Sequence, residues 1–488
     1  MRTSEQYQQG LKKKRRNVYI GGDLVDRDDE RMMGSVRILS KTFDLAGQTE
    51  HQDLLTAISH LSGVRINRFC HVHQSKEDLH KKQDMTRFYC QVVGGCTQRC
   101  MGVDATNAIS VASYDADQKY STEYHKRFLK WLDRFQKEDL VGCCAQTDVK
   151  GDRSKRPHEQ VDPDLYLHLV EKRSDGIIVR GAKAHNSEAA QADEILVVPT
   201  RALTKEEGDW AVSFAIPADW ENVHLIVRPA SPRPRKHLQA PGAEQGMTDS
   251  LTVFDNTFIP WERVFLCGEH DIGGRLALLF ALFHRHSYTG CKPAMNDLLL
   301  GQVALAAEYN GIGNAHHVRD KLADIIMVIE LAYAAGFTAS EKARRHPSGT
   351  YIPDVVFCNV GRCIAGEKVY HELATLADIA GGLPATLPFE EDFYNEKTGP
   401  FLEKYIMRNP KISAENQHRL FRMISDTLTS SFGGAMAVGS VHGGGSPIME
   451  KIAITTQYDV EARKKMVKTL AGIKDEEDPG AKAKTEKS

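Results

Sequence analysis

The chain has 488 residues, too many for a single core, and 41% of them are hydrophobic, enough to fill two to four domains. Its 63 Lys and Arg nearly balance 65 Asp and Glu, for a net charge of −2, so no bulk field draws in nucleic acid or an anionic membrane. The longest uninterrupted apolar run, Leu276 to Phe283, is too short to span a bilayer, and the basic stretch from Lys12 to Arg16 has no apolar segment after it. A cytoplasmic protein is expected, with its ten cysteines reduced and most of them buried as small apolar residues.

Residues 1–142 read as a mostly helical N-terminal domain. Tyr124, Phe128, Trp131, Leu132 and Phe135 fall on one stripe of a helix. The texture changes near Cys143. Over 143–274, short β-rich runs at 176–180, 195–198, 210–216, 224–227 and 251–258 alternate with Asp, Gly, Pro and Asn turns, as in a small antiparallel sheet or barrel. Pro229 to Gln245, rich in prolines and cations, reads as a surface loop of this central domain. Helical periodicity returns over 275–474. The stretch 301–345 can supply two long helices, and 360–381 and 413–440 complete a bundle. Residues 475–488 are charged and expected to be disordered.

Four residues stand out chemically. Cys96 and Cys100 form a C-x3-C pair, and His284 and Cys291 an H-x6-C pair. If each pair lies on a helix, positions four and seven apart share a face. Cys96 and Cys100 are then about 6 Å apart. Alone, a C-x3-C pair is more often two buried thiols than a ligand pair, and the histidine an ordinary side chain. The glycines Gly94 and Gly95 either mark the entry to a helix or admit a close backbone approach. The rise of about 10 Å between His284 and Cys291 strains a single tetrahedral zinc ion, whose donors must converge on one point. An iron–sulfur cluster several ångströms across relaxes that demand and accepts a histidine at one iron. Tyr288 shares the His284–Cys291 stripe.

Two polar loops flank β-rich runs: Thr147-Asp-Val-Lys150-Gly-Asp152-Arg153, and Arg180 to Ser187 with Lys183. Their backbone N–H groups, hydroxyls and cations suit a phosphate-bearing or heteroaromatic cofactor, or are plain turns. No G-x-G-x-x-G follows a strand, so a dinucleotide-binding Rossmann unit is excluded. The glycine-rich stretches Asp378-Ile-Ala-Gly381-Gly382-Leu383 and Val441 to Pro447 also permit close backbone approach.

Taken together, these segments resemble the 4-hydroxybutyryl-CoA dehydratases, a branch of the 4-hydroxyphenylacetate 3-monooxygenase family. The resemblance covers nearly the whole chain. It is carried by Ile66-Asn-Arg-Phe69, Cys96-x-Gln-Arg-Cys100, Thr147-Asp-x-Lys-Gly-Asp-Arg153, Val179-Arg-Gly-Ala-Lys-Ala-His185, Val253-Phe-Asp-Asn256, His284-Arg-x-Ser-Tyr-x-Gly-Cys-Lys292, Asp378-Ile-Ala-Gly-Gly-Leu383 and His442-Gly-x-Gly-Ser-Pro447.

The resemblance implies an α+β, acyl-CoA dehydrogenase-like fold with a helical N-terminal domain, a central β-barrel or sheet and a C-terminal helical bundle. It implies a homotetramer carrying FAD and a [4Fe-4S] cluster, and an acyl-CoA substrate. Cys96, Cys100, His284 and Cys291 match the cluster ligands; monooxygenase relatives lack them. Tyr288, Lys292 and Asp249 match residues near the substrate, with His284 as the base. Thr147, Lys150, Asp152, Arg153, Lys183 and Ser187 match flavin-contacting segments. Gly381 and Gly382 match a segment that contacts a neighbouring subunit's flavin. The implied activity is radical dehydration of 4-hydroxybutyryl-CoA, or a close 4-hydroxyacyl-CoA, to crotonyl-CoA, with vinylacetyl-CoA isomerisation.

Three positions depart from that pattern. Asp249 replaces a glutamate, Ser187 replaces a threonine, and Gly439-Ser-Val-His442 lacks a carboxylate expected before His442. Two other readings are a flavin-dependent aromatic monooxygenase with a vestigial Cys/His set, and a non-catalytic cluster-binding redox sensor on the same fold.

Overall fold

A computed structural model describes residues 1–473; the tail expected to be disordered, 475–488, lies outside them. The N-terminal layer contains α1 (Ser4–Lys12), α2 (Met33–Asp44), α3 (Lys76–Val93), α4 (Cys100–Tyr120) and α5 (Tyr124–Lys137). Each buries an apolar stripe. In α5, Tyr124, Phe128, Trp131, Leu132 and Phe135 are buried, and Trp131 stacks on Phe135 at 4.8 Å. Four short strands absent from the sequence reading interrupt this layer: β1 (Val18–Ile20), β2 (Asp23–Val25) and a separate antiparallel pair, Thr56–Ile58 with Arg65–Asn67.

The β region consists of β3 (Gly142–Ala145), β4 (His168–Lys172), β5 (Gly176–Ser187), β6 (Glu194–Val197), β7 (Val212–Pro217), β8 (Val223–Ala230), β9 (Met247–Pro260) and β10 (Val264–Cys267). They form two open sheets, one of six strands in the order β2-β1-β8-β9-β5-β4 and one of four in the order β10-β7-β6-β3. Among the described residues no barrel closes, which corrects the barrel half of the expectation. The larger sheet borrows its edge from the N-terminal layer: β1 runs parallel to β8, with Val18 opposite Leu225. Asn17 secures the junction by donating to the carbonyls of Ala218 and Val223, both at 3.0 Å. Three-residue strands carry too little alternation to be read from sequence.

The loop between β8 and β9 is not a free surface loop. Leu238 is fully buried, Arg235 pairs with Asp426, and the Leu238 N–H donates to Glu390 at 2.9 Å. It straps the β region to the C-terminal bundle.

That bundle is built on α6 (His270–Tyr309), α7 (His316–Glu341), α8 (Val355–Ala380), α9 (Ala414–Thr429), α10 (Ser431–His442), α11 (Pro447–Gln457) and α12 (Val460–Ala471). The 40-residue α6 is buried on nearly all sides through its middle, as befits a central helix. It tolerates Pro293, which has no N–H and so frees the Thr289 carbonyl. Gln83 on α3 donates to that carbonyl at 3.2 Å. At Gly290 the helices touch backbone to backbone, since a Cβ there would lie 2.2 Å from the Gln83 carbonyl oxygen.

The helix α7 has the length and hydropathy to cross a membrane, although charged residues interrupt its apolar sequence. It packs on α6 and α8, and keeps an outward apolar face at Ile326, Met327, Leu331 and Phe337. One core fills the N-terminal layer and the sheets, and a second fills the bundle around Val303, Ile329, Leu376 and Phe421.

Candidate active site

Where α3, α4 and α6 meet, the structure brings Cys100 and His284 together, and the charges of Cys96 and Cys291 are felt at Cys100. His284 and Cys291 lie two turns apart on α6, as the sequence suggests. Cys96 and Cys100 do not share a helix. Gly94 takes a left-handed φ of 67° and closes α3, so the double glycine ends a helix and does not start one. A Cβ at Gly94 would come within 2.8 Å of the Gln245 amide, and one at Gly95 within 3.1 Å of the Phe432 ring. Gln98, with φ 61°, turns the chain again, and Cys100 is the first residue of α4. Arg99 staples the turn from below, donating to Asp139 at 2.6 Å and Thr42 at 2.7 Å. Cys96 is therefore a loop donor and Cys100 a helix N-terminal one. The turn still leaves Cys96 close enough to Cys100 for its charge to be felt there.

Cys100 is buried, while Cys96, His284 and Cys291 are half-buried. Burial pushes the Cys100 thiol well above its ordinary range, reinforced by the charges of Asp104, Cys96 and Cys291. Burial also raises Cys291, and proximity to Cys96 adds to it. Cys96 moves the other way, held low by a hydrogen bond from Cys90. Cys100 and Cys291, whose ionisation is opposed by burial and by the Cys96 charge, are thiols that a bound cation would relieve. A ring nitrogen of His284, the Cys100 sulfur and a carboxylate oxygen of Asp104 lie within 4.8 Å of one another.

Asp104 is the residue that sequence reading missed. It is fully buried one turn beyond Cys100, within 2.9 Å of His284 Nδ1 and 2.6 Å of Lys82 Nζ. Its i+4 spacing from Cys100 was the available signal.

Tyr288 and Lys292 point into the same region but already have partners. The Tyr288 hydroxyl donates to the Ser440 carbonyl at 2.6 Å, and its ring carries the Arg362 guanidinium at 4.0 Å. Lys292 donates to Asn296 at 2.6 Å and Glu372 at 2.7 Å, and burial lowers its pKa. The loop after α10 is pinned over the site: Arg285 donates to the Gly444 carbonyl at 2.8 Å and Arg362 to that of Gly443 at 2.9 Å. No carboxylate precedes His442, but Glu450 on α11 shares Arg362 with this loop. It is fully buried, its oxygens lack hydrogen bonds, and Arg362 Nε is 3.5 Å away. Burial raises its pKa.

The polar loops of the β region divide into framework and free groups. Lys183 is framework: buried, paired with Asp148 at 2.8 Å and donating to the Gln146 and Val198 carbonyls. The Thr147 carbonyl accepts from the Ala184 N–H at 2.7 Å, which ties the two loops together. Asp152 caps its own turn through Ser154 at 2.7 Å. Lys150 and Arg153 have uncommitted side chains; burial and then the Arg153 charge lower the Lys150 pKa. Ser187 and Asp249 are cross-strand neighbours on β5 and β9, with the hydroxyl donating to the carboxylate at 2.6 Å. The Asp249 charge is felt at Cys96, so this strand pair borders the thiol site. Gly381 and Gly382, just beyond α8, lie open to solvent with no atom within 4 Å of a notional Cβ.

Comparison with known proteins finds relatives over nearly the whole chain. The N-terminal model of the 4-hydroxyphenylacetate 3-hydroxylase family matches residues 3–266 and its C-terminal model matches 274–472. The 4-hydroxybutyryl-CoA dehydratase/vinylacetyl-CoA-Δ-isomerase of Clostridium aminobutyricum is 39% identical over 97% of this chain and 99% of its own. An oxygen-tolerant archaeal 4-hydroxybutyryl-CoA dehydratase from N. maritimus superposes with a TM-score of 0.93 at 36% identity, covering 98% of this chain and 96% of its own. The oxygenase component of 4-hydroxyphenylacetate 3-monooxygenase, complexed with FAD, superposes at 0.87 with 25% identity, covering 96% and 98%. The monooxygenase is the more distant of these relatives, and the chain belongs to the 4-hydroxyphenylacetate 3-hydroxylase family, in its 4-hydroxybutyryl-CoA dehydratase/vinylacetyl-CoA-Δ-isomerase branch.

Proposed function

We propose that this protein is a hydro-lyase that dehydrates 4-hydroxybutyryl-CoA, or a close 4-hydroxyacyl-CoA, to crotonyl-CoA and isomerises vinylacetyl-CoA. Cys96, Cys100, His284 and Cys291 would hold a [4Fe-4S] cluster. FAD would lie along the β5–β9 strand pair, with Lys150 and Arg153 free to meet its phosphates. The observation that carries the reading is the meeting of the Cys100 sulfur and the His284 imidazole within 4.8 Å, with Cys96 and Cys291 close enough for their charges to be felt at Cys100. A monooxygenase of this family has no use for that set.

The chemistry explains the inventory. Loss of water from a 4-hydroxyacyl thioester removes a C3 proton that is not acidic, and tuning a His or Glu by a few pKa units does not reach it. When bound, the flavin supplies one-electron chemistry and the cluster a Lewis-acidic iron. The chain does the rest. His284, once released from iron, would take the more acidic C2 proton at Nε2, because its Nδ1 already faces Asp104. The Arg285- and Arg362-pinned loop covers the imidazole, since a Cβ at Gly444 would lie 3.4 Å from its Cδ2. Lys292 keeps a third N–H for a developing negative oxygen. Glu450 is placed to act for the carboxylate missing before His442.

The outward apolar residues of α7, with Phe401 and Tyr405 exposed in the bundle and Gly381 and Gly382 open, support assembly as a homotetramer in which those glycines meet a neighbour's flavin. The protein would work in the cytoplasm.

Anaerobic purification with iron and acid-labile sulfide analysis, followed by incubation with 4-hydroxybutyryl-CoA, tests the proposal. Stoichiometric iron and appearance of the enoyl-CoA are expected. An iron-free flavoprotein that hydroxylates a phenol with reduced flavin and oxygen would replace this reading with the monooxygenase one.

A further inference from the structure

The geometry points to Asp104 as a positioning residue that fixes the tautomer and pose of the His284 imidazole, with Lys82 and Ser287 fixing Asp104 in turn. The inference rests on the reading of His284 as a cluster ligand and base, and it adds three residues to that site.

The Lys82 and Asp104 side chains are both fully buried and meet at 2.6 Å. Lys82 also donates to the carbonyl of Phe283, the residue before His284, at 2.8 Å. Ser287, just under one helical turn beyond His284, donates to the two Asp104 oxygens at 2.9 and 3.0 Å. His284 Nδ1 is 2.9 Å from Oδ2. Both Asp104 oxygens already accept, Oδ1 from Lys82 and both from Ser287, so the carboxylate meets the imidazole as an acceptor. The imidazole nitrogen facing it must therefore carry the proton. That leaves Nε2 with its lone pair, the atom required to ligate iron and, when released from iron, to take a proton.

The ring has no freedom to invert. Phe280 stacks on it at 5.7 Å and 7°, and the Gly444 backbone closes its Cδ2 edge. The rival role, Asp104 as a ligand itself, is raised by its closeness to the Cys100 sulfur. Hydrogen bonding argues against it. Oδ1 already accepts from Lys82 and Ser287, and Oδ2 from His284 and Ser287. One helix, α4, thus supplies both a thiolate and, one turn on, the carboxylate that aims the fourth donor.

The test uses the full chain labelled with [15N]histidine. Magic-angle-spinning spectra are recorded without iron, and the His284 signal is assigned by difference against His284→Gln. Wild type should show the Nδ1–H tautomer, and Asp104→Asn should lose it in favour of a mixture. In the iron-loaded, anaerobically prepared protein, Asp104→Asn should retain iron but show an altered imidazole-nitrogen coupling in pulsed EPR of the reduced cluster. Exchange of the substrate C2 proton should fall about 10- to 100-fold.

An unchanged tautomer in Asp104→Asn would overturn the inference. So would loss of iron to the level of Cys100→Ala, which would make Asp104 a ligand. A wild-type chain without iron would fail the ligand assignment instead, while the iron-free spectra would still decide the tautomer. Should Asp104→Asn not fold, Lys82→Gln/Asp104→Asn removes both charges together and takes the same spectra.

Discussion

Substituting Gly290 with alanine probes the contact that sets the depth of α6 against α3, one residue before Cys291. A Cβ at Gly290 would lie 2.2 Å from both the Gln83 carbonyl oxygen and the Thr86 hydroxyl, against an ordinary contact of 3.4 Å or more. The carbonyl belongs to the α3 backbone and cannot rotate away, so the helices must part by about 1 Å. Overpacking of this kind costs about 3 kcal/mol, at the upper end of its usual range. Alanine's better helix propensity offsets about 1 kcal/mol. The expected net destabilisation is about 2 kcal/mol, read as a lower urea midpoint by far-UV circular dichroism at unchanged slope. Gly301→Ala is the control on the same helix. A Cβ there meets nothing within 4 Å, so that variant should gain up to about 1 kcal/mol. Because Cys291 and His284 ride on α6 while Cys100 rides on α4, Gly290→Ala should also lower iron per chain. A Gly290→Ala protein that unfolds like wild type and carries the same iron would refute the claim that this contact sets the site.

Three other outcomes follow from the same geometry. Lys82→Met leaves the Asp104 carboxylate buried without its cation and should cost about 3–5 kcal/mol, whereas Lys82→Met/Asp104→Asn should recover most of it in a double-mutant cycle of urea midpoints. Cys291→Ala should lose iron and dehydratase activity together while keeping flavin absorbance; full turnover in that variant would dismiss the ligand assignment. Glu207 supplies a pH test away from the site. Burial alone would raise it, but hydrogen bonds from Arg156, the Thr204 N–H and His158 hold it at about 2, below its ordinary 4.5. A depressed carboxylate stabilises fully above its unfolded value and loses that contribution as pH falls from about 4.5 towards 2. Glu207→Gln should therefore flatten the acid side of the stability profile, and an unaltered profile would count against the network.

The sequence by itself determined the donor types and half of their geometry. His284 and Cys291 are seven residues apart on a helix, and helical pitch alone puts them on one face two turns apart. The strands around Ile177, Ile195 and Leu225 and the stripe on α5 were equally legible, because alternation and 3.6-residue periodicity are local properties of the chain. Tertiary structure decided the rest. The C-x3-C spacing suggested a helix, but the left-handed turns at Gly94 and Gln98 put Cys96 in a loop, and only packing against Gln245, Phe432 and Arg99's partners makes that turn necessary. The short strand at Val18 was illegible because its partner, Leu225, lies far along the chain. Lys82, Asp104 and Glu450 escaped notice for a related reason. A charged residue in a helix reads as a solvated face until distant segments bury it, and then the missing water obliges each charge to find its counterpart inside.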